Sequence, residues 1–320
     1  MPADLGLLDA ELAWGHHLLV VSAQVEADDV EALALSRFPG ASRRDAHTID
    51  LLPGAWLTGP WRLDDGARTR LGLPEEADGA YLARAPVQRS GPVPEELRGL
   101  GGMLDAFPEG PPERTEAEVV TFLLAAARRL GAGLRAGGSG VLVLPDPAEI
   151  PDLLVHAPVW LDPDALLVVL RPVLPDVRLI MEAGPAPLPR AAGTTDDPER
   201  LRLHAEADAF DAAALAGEEV REAYGAISRF PDDGVISVSV EAQDPAPLTL
   251  AGTDWARDGV LTYALRWYPA EDAPRPQEKP SAAYLSQREQ ARDLIERGAT
   301  SLLSAVGGSI ADDDGFLVEL

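Results

Sequence analysis

Apolar residues in this chain occur either in short continuous runs, typical of buried strands, or at helical spacing. The run His16–Val25 predicts a buried strand, and segment 26–40 predicts a short helix that stops at Pro39-Gly40. Runs 46–52, 55–59 and 79–88 predict further strands, and the Asp65-Gly66 pair between them predicts a turn. The first quarter of the chain therefore predicts several strands and one short helix.

The clearest helix is predicted over 115–135. Thr115 and Glu118 have the spacing of a capping box, in which each side chain binds a free backbone N–H. Its apolar face is formed by Val119, Phe122, Leu123, Ala126 and Leu130. We expect Gly137-Gly138-Ser139 to end this helix and a strand to follow over 140–144, because glycine reaches positive φ at low cost.

The rest of the chain also alternates between predicted strands and predicted helices. Segment 152–160 predicts an extended stretch, and Asp162-Pro163 and Asp197-Pro198 each predict a helix start. Segment 281–306 predicts a long helix, which Gly298 could interrupt. Further strands are predicted over 176–183, 224–230, 234–242, 247–252 and 259–269.

The two halves share an order of strand, Pro-rich linker, helix, Gly-Gly-Ser and strand. The first set is 79–88, 91–113, 115–135 and 140–144, and the second is 259–269, 270–280, 281–306 and 309–319. This order suggests an internal duplication, with chance similarity as the alternative because the intervening lengths differ.

The pattern predicts the α+β class, with two similar lobes, each a mainly antiparallel sheet covered by helices in the manner of ferredoxin-like units. A three-layer α/β fold is the alternative. We expect an N-terminal lobe over 1–150, a connecting segment over 151–222 and a C-terminal lobe over 223–320.

The net charge limits the kinds of partner that the chain can bind. The chain has 53 acidic residues against 27 Lys and Arg, with a formal net charge of −26. Such a surface repels phosphates, which argues against nucleic-acid and anionic-membrane binding. An acidic adaptor or nucleic-acid mimic for a basic partner is one interpretation, and a generally solubilising surface is another.

Cysteine is absent, which excludes disulfides, thiolate metal sites and a thiol nucleophile. The acidic N-terminal stretch lacks the pattern of a signal peptide, and no window is apolar enough for a membrane helix. These features favour a cytoplasmic protein.

Known chemical motifs are missing or misplaced. Gly131–Ala136 formally matches the dinucleotide fingerprint, but its glycines follow a helix and precede a strand, the reverse of the order that binds pyrophosphate. There is no P-loop, G-x-S-x-G or H-E-x-x-H motif. We therefore predict no cofactor, and we interpret Ser139 as a cap.

Histidines are the remaining candidates for acid–base chemistry. His156 lies among apolar residues, so burial would tune its pKa, although a core histidine with satisfied hydrogen bonds is the plainer interpretation. His156 or His47 with a carboxylate would serve a hydrolase or isomerase. His204 and Asp208 have helical i,i+4 spacing, but an ordinary exposed pair is favoured and no metal site is predicted.

Aromatic residues are scarce, so Trp255, Trp267 and Tyr268 are candidates for a binding surface, with core packing as the alternative. Because no catalytic pattern stands out, the first functional hypothesis is a non-catalytic binding or regulatory module. It would act on a protein partner or through self-association.

Overall fold

The computed structural model describes residues 6–99, 102–180, 223–230, 234–270 and 279–320. All strand pairs in the described part of the chain are antiparallel, and they form two sheets of seven strands each, with helices packed against them. The predicted α+β class is confirmed. The predicted helix that starts at Asp197-Pro198, and the pair His204 and Asp208, lie outside the described residues.

Within the described residues, the first lobe consists of one sheet with five α-helices. Its strands are β1 (His17–Val21), β2 (Ser42–Asp45), β3 (Thr48–Leu52), β4 (Ala55–Arg62), β5 (Gly79–Arg84), β6 (Gly133–Arg135) and β7 (Leu142–Val143). Its helices are α1 (Ala10–Trp14), α2 (Ala27–Arg37), α3 (Asp65–Leu71), α4 (Gly102–Ala106) and α5 (Arg114–Leu130). The strand order is β2-β3-β4-β5-β1-β6-β7.

The second lobe consists of the other sheet with two described α-helices. Its strands are β8 (Leu153–Ala157), β9 (Arg178–Leu179), β10 (Ala223–Arg229), β11 (Val235–Gln243), β12 (Val260–Tyr268), β13 (Ser309–Asp312) and β14 (Leu317–Val318). Its helices are α6 (Pro163–Leu170) and α7 (Ala282–Val306). The order is β9-β10-β11-β12-β8-β13-β14, so each sheet visits its strands in the same chain order. This sheet begins inside the segment expected to be a connection.

Residue spacing also agrees between the lobes. Leu19 pairs with Tyr81 and Leu134, and Val155 pairs with Tyr263 and Ile310 in the same positions of the other sheet. Arg43, in edge strand β2, follows Leu19 by the same number of residues as Leu179, in edge strand β9, follows Val155. The residue spacing of the strand–helix–strand segments thus agrees between the two lobes.

The helices of these segments bury equivalent positions. In α2 and just after it, Val30, Ala34 and Phe38 are buried. At the same spacing in α6 and beyond, Leu166, Leu170 and Leu174 are buried. Each set is one helical stripe that covers its sheet, because residues four apart lie on one face.

Helices cover both faces of the first sheet. One face packs against α2 and α5 through Leu19, Val21 and Tyr81. The opposite face packs against α1 and α3 through Leu18 and Val20. The first lobe therefore has three layers, while its antiparallel pairing keeps it in the α+β class.

The first Gly-Gly-Ser triplet does not end a helix, contrary to the prediction. Helix α5 ends at Leu130, where Gly131 takes the left-handed conformation with φ 60°, and Gly137–Ser139 lie in the turn between β6 and β7. The second triplet follows α7 directly, with Gly307 as its C-cap. The equivalent of Gly307 is therefore Gly131.

Three other local predictions of secondary structure were wrong. The Asp65-Gly66 turn is helix α3, whose N-terminus is capped by Asp64 through Ala67 N–H at 2.7 Å. Segment 247–252 forms a short 3-10 helix and not a strand. The N-cap of α5 is Glu113, so the capping box of Thr115 and Glu118 does not form.

The two lobes are joined by the hairpin of β13 and β14. Phe316, in its turn, is 2% exposed and belongs to the core of the first lobe. The neighbouring Asp314 forms an ion pair with Arg128 of α5 and accepts a hydrogen bond on its carbonyl oxygen from Arg37 at 3.3 Å. The last hairpin thus completes the core of the other lobe.

Candidate functional site

A cleft of about 330 Å³ lies where the lobes meet. Helix α5, the connection 147–151, the start of β8, helix α7 and the final hairpin all contribute to its walls. Its charged lining residues are Arg128, Arg129, Asp152, Arg292, Glu296, Asp312, Asp313, Asp314 and Glu319. Carboxylates therefore outnumber arginines by six to three.

Internal contacts already engage part of this charge. Arg128 pairs with Asp314, and Arg129 lies 4.0 Å from Asp312 while donating to the Leu317 carbonyl oxygen at 3.1 Å. These contacts hold the hairpin against α5. No described residue forms an ion pair with the exposed carboxylates of Asp313 and Glu319, so they leave the cleft with a negative surplus.

Two carboxyl groups at the cleft have raised pKa values. Burial raises the pKa of Asp152 to about 6, with Asp313 adding to the rise and the hydrogen bond from Trp267 N–H opposing it. That hydrogen bond measures 2.9 Å. Burial likewise raises the pKa of Asp312. A carboxyl that titrates near neutral pH in a cleft is a common property of functional sites, since it can exchange a proton or answer a bound charge.

His156 lies in strand β8, 2% exposed. Its Nδ1 is 3.1 Å from the Thr262 hydroxyl, which donates to Gln243 Oε1 at 3.1 Å, so Nδ1 carries the proton. Burial lowers the pKa of His156. Asp152 is four residues earlier along an extended chain, or about 13 Å away, so the two do not form an acid–base pair.

His47 lies elsewhere, in the turn between β2 and β3. It lines a cavity of about 20 Å³ together with Tyr81 and Gly59 of the first sheet. Its backbone N–H donates to Asp45 at 2.8 Å. Because His47 and His156 belong to different sheets, the structure does not bring the two predicted bases together.

A third histidine, which the sequence did not single out, belongs to a buried ionic cluster. His17 Nδ1 accepts from Gly137 N–H at 3.0 Å, so its Nε2 carries the proton and donates to Glu116 at 3.0 Å. Arg89 lies 2.6 Å from the same carboxylate, and Gln88 N–H donates to its other oxygen at 2.6 Å. With both imidazole nitrogens engaged, the cluster fixes Gln88 and Arg89, together with the start of α5, to the sheet.

The sequence did contain a signal for this cluster. Glu116 lies three residues before Val119, on the apolar face of α5, where an acidic residue requires a buried partner. Asp152 and Asp312 carried no comparable signal, because acidic residues at strand ends are common in this chain.

The three aromatic candidates have different environments. Trp267 is 7% exposed and packs against Phe230 and Tyr284, with ring centroids 6.1 and 5.5 Å away. Trp255 packs against a small cluster with Leu250. Tyr268 is 53% exposed at the end of β12. They do not form one surface.

The described residues lack a metal-binding cluster and a membrane-spanning helix. They contain no group of three or more His, Cys, Asp and Glu side chains that could hold a metal ion. No helix in the same residues combines the length and apolarity needed to cross a membrane. Comparison with known proteins found no matching family model, no matching curated protein and no matching solved structure.

Proposed function

We propose that the protein is a non-catalytic binding module whose ligand occupies the cleft between the lobes. The observation that supports this function is that both lobes line one cleft of about 330 Å³ with polar and charged side chains. Ligand sites commonly lie between lobes in concave surfaces of this size.

The charge of the cleft favours a cationic ligand. Six carboxylates face three arginines, and at least Arg128 is already paired within the protein. We infer that the ligand presents a guanidinium or ammonium group, such as an Arg or Lys side chain of a basic protein partner. The net charge of −26 would attract such a partner over longer distances.

Replacing cleft carboxylates tests this proposal. We would combine Asp313→Asn with Glu319→Gln, which removes two exposed charges at the cleft. The matched control combines Glu75→Gln with Glu76→Gln, which removes two exposed charges from the turn after α3. Thermal-shift and calorimetric titrations would use short Arg- and Lys-containing peptides, with acidic peptides as negative probes.

The expected result is a rise in Tm with basic peptides in the wild type and the control, and a tenfold or greater loss of affinity in the cleft variant. Equal weakening in both variants would assign the binding to general surface charge and would contradict a cleft site. Concentration-dependent mass without peptide binding would instead favour self-association.

An enzyme that uses carboxylate acid–base chemistry is the second candidate. It is favoured by the pKa of about 6 at Asp152 and by the raised pKa of Asp312 in the same cleft. Turnover of a hydrolase or isomerase substrate that is abolished by Asp152→Asn, with folding intact, would decide for this candidate.

We also infer that the two lobes arose by internal duplication. The shared strand order and the coincident spacing from Leu19 to Arg43 and from Val155 to Leu179 support this. The proposed repeat has seven strands and is larger than a ferredoxin-like unit. It places the second copy over 153–318, so β8, α6 and β9 belong to that copy and not to a connection.

A further inference from the structure

Arg292 of α7 occupies the position that Glu116 of α5 has in the first lobe. Leu134 and Ile310 are equivalent strand positions, and Glu116 precedes the former by the same number of residues as Arg292 precedes the latter. The same count aligns the C-caps of α5 and α7. One helix position therefore carries opposite charges in the two lobes.

The first lobe supplies its own partners at this position. Glu116 is 1% exposed, and its carboxylate binds His17 of β1 and Arg89 of the connection between β5 and α5. A buried charge requires such partners, because an unpaired charge is costly to remove from water. The charge of Glu116 is therefore balanced within the protein.

The described residues of the second lobe do not supply corresponding partners. Leu153 of β8 has the place that His17 has in β1, and it carries no charge. The ion pairs of α7 within the described chain involve Arg288 and Arg297, and not Arg292. Arg292 is half-buried and lines the cleft between the lobes. Its guanidinium group is therefore available to an anionic group of a ligand.

The charges around the cleft are segregated. Arg288 lies 2.8 Å from Asp146, in the connection before β8. Although burial opposes the change, a backbone hydrogen bond and the guanidinium groups of Arg288 and Arg292 lower the pKa of Asp146. Burial and the neighbouring Asp313 instead raise the pKa of Asp152. Arg292 thus lies beside the connection, whereas the unpaired carboxylates lie beside the final hairpin.

A ligand that matches this lining carries one charge of each sign. A guanidinium binds a carboxylate or a phosphate through two parallel hydrogen bonds. The surplus of carboxylates in the cleft repels a singly charged carboxylate less than a phosphate, so it favours the carboxylate. A volume of about 330 Å³ is at the lower end for ligand sites, and it suits a small ligand or the end of a chain.

We propose that the cleft recognises the α-carboxylate of a basic residue together with its cationic side chain, and that Arg292 binds the carboxylate. Free arginine and lysine have this chemistry, and so does the C-terminus of a chain that ends in either. The inference rests on the proposed function, because it adds a second contact to the same site.

Matched peptides test the contact with the carboxylate. Calorimetry on the full chain would compare acetyl-Gly-Gly-Arg, which has a free C-terminal carboxylate, with the C-terminal amide of the same peptide. Arg292→Gln removes the proposed contact. Arg297→Gln is the matched control, because it removes the same charge from the same helix outside the cleft. Free arginine is the third probe.

The wild type should bind the acid about tenfold more tightly than the amide, because hydrogen bonds between two ionised groups are strong. The net charge of −26 by itself would favour the amide, so a preference for the acid requires a local cation. Arg292→Gln should lose this preference and bind the amide as tightly as the wild type does. Arg297→Gln should keep the preference.

Binding of free arginine as tight as that of the acid peptide would assign the site to the amino acid, and weaker binding would assign it to a chain end. Equal wild-type affinities for acid and amide, or equal weakening of both by Arg292→Gln, would overturn the inference. If the variant that combines Asp313→Asn with Glu319→Gln then still weakens both peptides, the cationic site of the proposed function stands alone. Absence of binding by either peptide would overturn both proposals.

Discussion

Replacing Phe316 with alanine is the most direct test of how the lobes are joined. The ring is 2% exposed and lies in the core of the first lobe, although Phe316 belongs to a hairpin of the second sheet. A buried aromatic ring removes about 150–250 Å² from water, which is worth about 4–6 kcal/mol at 25 cal/mol per Å². Part of this energy remains with alanine, so we expect a loss of about 3–5 kcal/mol in the free energy of unfolding.

The loss should also uncouple the lobes. Each lobe contains three tryptophans, namely Trp14, Trp56 and Trp61 in the first and Trp160, Trp255 and Trp267 in the second. Urea unfolding followed by fluorescence should show one transition for the wild type. For Phe316→Ala we expect two transitions, because Phe316 is the one described residue of the second lobe that belongs to the apolar core of the first.

Leu317→Ala is the matched control, since the adjacent Leu317 is 44% exposed and should cost less than about 1 kcal/mol. A loss below about 1 kcal/mol for Phe316→Ala, or a loss equal to that of Leu317→Ala, would refute the assignment of this ring to the first core.

Three further variants probe single contacts. Asp152→Asn should raise the free energy of unfolding by about 1–2 kcal/mol at pH 7.5. The reason is that the raised pKa of Asp152 makes its charged form unfavourable in the folded state. This stabilisation should vanish as the pH falls from 6 to 4, because the carboxyl is then protonated. Gly308→Ala should cost about 3 kcal/mol or more in urea unfolding, because Gly308 has φ 100° and its Cβ would clash with the His156 carbonyl oxygen. Glu116→Gln should cost about 3 kcal/mol by the same measurement, because Arg89 would lose its buried charged partner.

Each of these three variants has an outcome that would contradict its prediction. A pH-independent difference for Asp152→Asn would contradict the shifted titration of this carboxyl. A loss below about 1 kcal/mol for Gly308→Ala would mean that the backbone can move there. Glu113→Gln is the control for Glu116→Gln, because Glu113 is exposed at the start of the same helix, and equal losses would remove the significance of the buried cluster.

Strands β1, β5, β11 and β12 were predictable because continuous or alternating apolar runs leave few other structures. The end of α5 was not predictable from the sequence. Gly131, Gly137 and Gly138 all permit a left-handed cap, and only packing against the sheet selects the first of them. Similarly, Asp65-Gly66 became a helix because Asp64 caps it and Leu71 is buried, which outweighs a local turn signal.

The candidate sites depended on contacts between distant residues. His17 and Glu116 are separated by 99 positions, and the cleft combines α5 with the hairpin of the second sheet. No local spacing encodes such a meeting. Among the residues predicted from sequence, His47 lies at the small cavity with Tyr81, whereas His156 lies within its sheet beside Thr262.

The position of Phe316 also has a consequence for biosynthesis. The first lobe has its strands and helices by residue 143, yet a large side chain of its interior is synthesised much later. While the ribosome is still adding the second lobe, the first lobe exposes the apolar surface that this ring covers. Nascent chains that stop before this hairpin should therefore be recognised by chaperones and proteases as unfinished, even though the first sheet is already present.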